Sequence, residues 1–525
     1  MQSLTSHTQQ ACASSENHAL GATKGLTAIG FGEFAALIGM LLVYAAISFF
    51  LWGSFEIHYD NPGYTDPAAS YVLGQGFTSG CWYFQECDEF WAGNVPLHQF
   101  LLIPWFKVFG FSNGSLIAIN LFYITAAMGL FWRGMWQNRL VSTAGLRLGA
   151  VAFFLVSDSS LNLAINGRPE PLCLLIACSA WAFFGLEWRY YRWAGIAGCG
   201  VLAPWAALHL AAFFAFMGMG ALLYFKKRYL KEVIALAVGG VIGSLALLGF
   251  YQHMGILPVF LKSISPHISI SASNAILTTK DYIEWAAFAK SWGWKLSGFT
   301  NISFLFPAFL SVWVSCMSFL NGRACRLAAL NIGCVTLLPA LFLATGVFPK
   351  YYGFYLLLPI TLTLFGLISA GVIRDGRGAR LLSFFFWLSV AMPGAYFWAS
   401  VVQAWPTLCS GRQARMDAFA KNVVRSTDVA WVDRRLWYAT KPIVKKTFST
   451  LWRLQSSVSK SRDEISVIIA LSKGDDGKNT IAEDLPGEWK PTGEHLLVPD
   501  FSRYYRSNKT TEPLLFEVYR RTDRP

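Results

Sequence analysis

Apolar runs of about 20 residues recur along this chain, and a helix of that length just crosses the hydrocarbon core of a bilayer. The runs fall near 31–52, 115–131, 148–160, 171–187, 194–206, 208–225, 233–251, 301–320, 328–347, 353–373 and 381–401. They predict an all-α polytopic membrane protein with about 11 transmembrane helices. The first run is too long for a signal-peptide core, and no small-residue cleavage site follows it, so it reads as a retained helix. The stretch 194–225 must break once, near Pro204, between the runs 194–206 and 208–225.

Only 14% of the 525 residues are charged, whereas a soluble domain carries about 25%. The net charge of +13 could suggest a nucleic-acid partner. Its distribution argues against one. Arg133, Arg139 and Arg147, then Arg189 and Arg192, then Lys226, Lys227, Arg228 and Lys231, and later Arg323, Arg326, Arg374, Arg377 and Arg380 sit in short links between apolar runs. That pattern sets topology. With an odd number of spans it places the amino terminus in the cytosol and the carboxyl terminus outside, in what reads as a bacterial inner (plasma) membrane.

Four regions follow. Residues 1–30 are a polar cytosolic tail, 31–405 the transmembrane domain, 53–113 its acidic first external loop, and 406–525 a small α/β domain outside the membrane. In the last region 429–432, 465–470, 495–498 and 514–519 read as strands, and 413–424 and 442–454 as helices. Residues 252–300, rich in tryptophan, read as interfacial helices.

The first external loop holds Glu56, Asp60, Asp66, Glu86, Asp88 and Glu89 against a single base, Lys107. Asp66 opens DPAASYVLGQG, whose small and apolar residues recur at helical spacing. Asp66 is also a good helix cap ahead of Pro67. Cys81 and Cys87 lie in the same loop and read either as a disulfide, in an oxidising compartment, or as two thiols. Trp82, Trp91, Trp105, Trp292 and Trp294 are expected in the interfacial aromatic belt. The histidines lack metal-ligand spacing, and no metal is expected.

Taken in order, DPAASYVLGQG, VPLHQFLLIPWFKVFG, NGRPEPLCLL and FPKYYGFYLLLP resemble the motifs of the GT-C membrane glycosyltransferases, in the branch of the protein O-mannosyltransferases and aminoarabinose transferases. The resemblance covers roughly residues 30–400, with departures: the acidic pair reads Asp66-Pro67, the Pro-Pro reads Val95-Pro96, and the acid after Arg168 is Glu170. It implies inverting transfer of a sugar from a polyprenyl-phosphate carrier to an acceptor (lipid, glycan or protein) on the external face, with no cofactor beyond the lipid-linked donor. A positioned carboxylate can take the acceptor proton, and fixed cations can hold the leaving phosphate. Asp66 is the expected base, Arg168 and Lys350 the expected phosphate contacts, and Asn94, Glu170, Tyr351 and Tyr352 the expected supporting or sugar contacts. Plainer roles stand beside these: an Arg168–Glu170 ion pair, and a Lys350 that snorkels from a helix end. The competing function is a transporter or flippase of a lipid-linked sugar, but the span centres are nearly free of charge, unlike a transport path.

Overall fold

The computed structural model describes residues 30–51, 60–225 without 83, 84 and 86, 229–264, 302–345, 349–372, isolated positions between 380 and 402, 411–449, 463–472, 485–498 without 486, and 514–523. Its helices are α1 (Phe31–Leu51), α2 (Asn61–Val72), α3 (Leu97–Phe109), α4 (Asn113–Gln137), α5 (Ala144–Leu155), α6 (Asp158–Ile165), α7 (Glu170–Phe184) and α8 (Arg189–Ala206). They continue with α9 (Leu208–Phe225), α10 (Leu230–His253), α11 (Ile302–Leu320), α12 (Cys325–Thr345), α13 (Pro349–Ser369), α14 (Arg412–Val423) and the short α15 (Trp437–Thr440).

Every apolar run expected before residue 373 falls on a helix. The run at 381–401 and the expected interfacial helices beyond residue 264 lie largely outside the described residues. Among the described residues, four helices are long and apolar enough by themselves to cross a membrane, or five if one bent pair is a single span. That is fewer than the runs counted, because several helices are short. The run at 148–160 is α5 and α6, bent by 58°. At the bend the Ser157 hydroxyl accepts from Ser160 N at 3.2 Å and caps the second segment. The break within 194–225 is at Ala207, in extended conformation (φ −168°, ψ 136°), between the two expected runs and three residues after Pro204, which sits in the last turn of α8.

The bundle is stapled at the end away from the first loop. Arg147, one of the basic link residues, is 2% exposed and reaches both carboxylate oxygens of Glu33 at 2.8 and 2.7 Å. Arg192 pairs with Glu232 at 2.9 Å. These bases are therefore held by α1 and α10 as well as marking the links. The α8 and α10 backbones touch: a Cβ on Gly200 would lie 2.3 Å from Leu236 O, and one on Gly239 2.2 Å from Ala197 O. Small residues permit such contact where lipid supplies no hydrophobic drive. The outward faces of α1 and α10 carry exposed Leu42, Phe50, Val241 and Leu245, a surface suited to lipid.

The carboxyl-terminal region forms a five-stranded sheet of β1 (Val429–Val432), β2 (Lys446–Ser449), β3 (Val467–Leu471), β4 (Trp489–Val498) and β5 (Leu514–Arg521), ordered β2-β1-β3-β5-β4. Strand β1 runs parallel to β2 and β3, and β5 runs antiparallel to β3 and β4. The helix expected over 442–454 is corrected here, because Lys446–Ser449 is an edge strand in register with Val429–Val432. A ladder partner for KTFS overrides its weak local pattern. One apolar core runs from Leu102 and Phe106 of the membrane domain to Trp437 of α15 and Val467 of β3.

Candidate functional site

Helix α2 starts at Asn61-Pro62, with proline in its first turn where no amide hydrogen is needed. Asp60 stands at the cap position, yet its side chain makes no capping bond. Its carboxylate turns instead to Arg168, whose Nη1 donates to Oδ2 at 2.7 Å. The same guanidinium donates from Nε to Glu170 Oε1 at 3.0 Å and from Nη2 to the Tyr352 hydroxyl at 2.8 Å. The rings of Tyr64 and Tyr352 cover it, with centroids 5.2 and 5.5 Å from Cζ.

The segment carrying Arg168 is fixed from three sides. Asn61 Oδ1 accepts from Gly167 N at 2.7 Å, and its amide donates to Ile165 O at 3.3 Å. His98 Nε2–H donates to Gly167 O at 3.1 Å, and Asn120 donates to Asn166 O at 2.6 Å. A side chain at Gly167 would press on Asn61 Cα at 3.1 Å. The cradle is polar, buried and preformed.

Charge in the cluster is uneven, since one guanidinium faces two carboxylates. Burial works against the Arg168 charge, but Glu170, Tyr352, Tyr64 and Asp60 outweigh it and raise its pKa well above the ordinary value. Burial likewise raises the Tyr64 phenol well above its usual range, so it stays neutral. Asn94 reaches the cluster's edge, donating to the Tyr64 hydroxyl at 3.5 Å, while its carbonyl accepts from Tyr251 at 2.6 Å.

Asp66 lies elsewhere. It is inside α2, not at a helix start, and is fully buried. Oδ2 accepts from Ser79 Oγ at 2.9 Å, Gly80 N at 2.7 Å and Cys81 N at 3.2 Å, and Oδ1 pairs with Lys441 Nζ at 2.9 Å. The helix-cap reading of Asp66 is corrected by this geometry, and its carboxylate faces the carboxyl-terminal sheet domain instead of Arg168. Cys81 and Cys87 are not bridged. The Cys81 thiol faces Thr447 O at 3.9 Å and Cys87 lies 3.9 Å from Lys446 Nζ, so each packs on its own residue of β2. Trp82 and Trp91 are buried in the loop's own aromatic core with Tyr64 and Phe77, not in an interfacial belt. Lys350 and Tyr351 begin α13 just ahead of Tyr352, but their side chains lie outside the described residues, as do Trp292 and Trp294.

The structure thus joins Arg168, Glu170 and Tyr352, with Asn94 at the edge, and adds Asp60, Tyr64 and His98. A sequence signal for Asp60 existed, because Asp60-Asn61-Pro62 is as good a helix start as Asp66-Pro67 and precedes it. Nothing local pointed to Lys441.

No protein-family model and no curated protein matches the chain. Among solved structures it is similar to ArnT from Cupriavidus metallidurans bound to undecaprenyl phosphate, with TM-score 0.56 and 11% identity over 93% of this chain and 98% of that one. It is more loosely similar to the Archaeoglobus fulgidus oligosaccharyltransferase in complex with zinc and sulfate (TM-score 0.44, 10% identity, 83% of this chain and 68% of that one). The same holds for the mycobacterial arabinofuranosyltransferase AftD (TM-score 0.43, 14% identity, 91% and 39%). At such identities the likeness is one of architecture, and it agrees with the order of the motifs: this chain has the fold of the GT-C membrane glycosyltransferases.

Proposed function

We propose that this protein is an inverting glycosyltransferase that moves a sugar from a polyprenyl-phosphate carrier to an acceptor at the external face of the membrane, with its amino terminus in the cytosol. The observation that carries the reading is the buried Asp60–Arg168–Glu170–Tyr352 cluster beneath the first-loop helix, at the membrane-domain ends where a lipid phosphate would sit. The likeness to a structure holding undecaprenyl phosphate supports a lipid-linked donor.

In this reading Asp60 takes the role first assigned to Asp66, whose two oxygens are engaged by Lys441 and the 79–81 turn. Asp60 accepts the proton of the acceptor hydroxyl as that oxygen bonds to the anomeric carbon. The bond from that carbon to the phosphate oxygen breaks, and the carrier phosphate leaves with the electron pair. Arg168 orients the Asp60 carboxylate through its Nη1 bond. Its Nη2 donates to the Tyr352 hydroxyl and also lies 3.0 Å from Glu170 Oε1; a phosphate oxygen can displace the hydroxyl because a charge-assisted bond is stronger. Lys350, near the amino end of the same helix, is the second phosphate contact. Glu170 and Asn94 brace the guanidinium and Tyr64.

Purified protein incubated with polyprenyl-phosphate sugars and a pool of envelope acceptors tests the proposal. Release of free polyprenyl phosphate with a newly glycosylated product, both lost in Asp60→Asn, is the expected result. Movement of lipid-linked sugar across vesicles with no bond broken would overturn it in favour of a flippase.

A further inference from the structure

We infer that Lys441, in the carboxyl-terminal sheet domain, is a positioning residue for the active site: it latches α2 through Asp66 and thereby sets where Asp60 and Tyr64 stand against Arg168. The inference rests on the glycosyltransferase reading for its catalytic consequence, but not for the latch itself.

Tyr64 and Asp66 are two residues apart on α2, which turns them about 200° apart around the helix. One side therefore faces the Arg168 cluster and the other faces the sheet domain. On the second side Lys441 Nζ meets Asp66 Oδ1 at 2.9 Å and donates to Ser70 Oγ, one turn further along, at 3.0 Å. Both charged side chains are buried, at 3% and 0% exposure. A buried ion pair adds little net stability over well-packed apolar groups, so its value here lies in fixing one arrangement.

Neighbouring contacts make the latch directional. Phe111 packs on Trp437 and Tyr438, with ring centroids 5.3 Å apart in each case, and Gln75 donates to Lys445 O at 3.0 Å. Gly80 lies so close to β2 that a Cβ would stand 2.4 Å from Thr447 O. The turn that holds Asp66 Oδ2 is thus clamped between α2 and β2, with the Cys81 thiol sealed beneath. If the sheet domain lifts, α2 loses its reference on that side.

The test uses the full-length protein in detergent or nanodiscs, in a Cys87→Ser background, with brief exposure to an impermeant maleimide and peptide mass spectrometry at Cys81. Lys441→Met is expected to speed Cys81 modification by about tenfold, the mark of local opening. It should lower kcat by up to about 10²-fold, the cost of a misplacement near 1 Å, with carrier KM little changed. Lys441→Arg should recover part of both. If Lys441→Met does not fold, Asp66→Asn serves, since it keeps an oxygen for Ser79, Gly80 and Cys81 and removes only the charge facing Lys441. Cys81 protection unchanged in the folded variants would overturn the latch, whatever the activity. Faster labelling in a protein whose wild type transfers no sugar would uphold the latch and remove the enzymatic reading.

Discussion

Asp60 and Arg168 are 108 positions apart in the chain and 2.7 Å apart in the fold. That contact exists because Asp60 forgoes the cap of α2, while Asn61, His98 and Asn120 pin the segment before Arg168. A carboxylate held so tightly is preorganised, and its removal should affect chemistry before it affects assembly.

Asp60→Asn should therefore cut turnover by about 10²–10⁴-fold, the usual share of a general base. Carrier binding and Cys81 protection should stay near wild type. Asp66→Asn should instead expose Cys81. Steady-state kinetics run beside thiol labelling separate the two acids. Near-normal turnover in Asp60→Asn would return the base to Asp66.

Lys350→Ala should weaken carrier-lipid binding by about ten- to a hundred-fold, the worth of one charge-assisted hydrogen bond. Lys350→Arg should keep part of it, because the charge survives while the donor geometry changes. Affinity measured on monodisperse protein checks this. Wild-type affinity in Lys350→Ala would mean a lysine that only snorkels.

His98, in the first-loop helix α3, is buried, and burial pushes its imidazole down from 6.5 to about 4, the Gly167 bond offsetting only part of this. The unfolded chain binds the proton near 6.5, so the unfolded state is favoured as pH falls from there toward 4. The contribution is complete above that window and amounts to about 3 kcal/mol across it. Thermal unfolding should show a steep loss of stability in that range, and His98→Gln should flatten the slope. An unchanged slope would assign the acid sensitivity to other groups.

The orientation can be read with single cysteines at exposed sites. Glu89→Cys in the first loop and Ser426→Cys beside the sheet should react with an impermeant reagent applied outside intact cells, and Thr143→Cys in a basic link should not. The reverse pattern would turn the membrane domain over and move the site to the cytosol.

The apolar runs determined the helices by themselves, because a segment of about 20 apolar residues has few alternatives to a helix inside a membrane. Leu97–Phe109 and the Glu170 helix start were also legible, through Pro96, Gly110 and the Arg168-Pro169 pair. Two things were not. Strand β2 formed because β1 offered it a ladder, a partner no local pattern reveals. Above all, the roles of Asp60 and Asp66 were decided by which side of α2 faced Arg168 and which faced Lys441, 375 residues away along the chain. Sequence periodicity tells that a helix has two faces; only packing tells what each face meets.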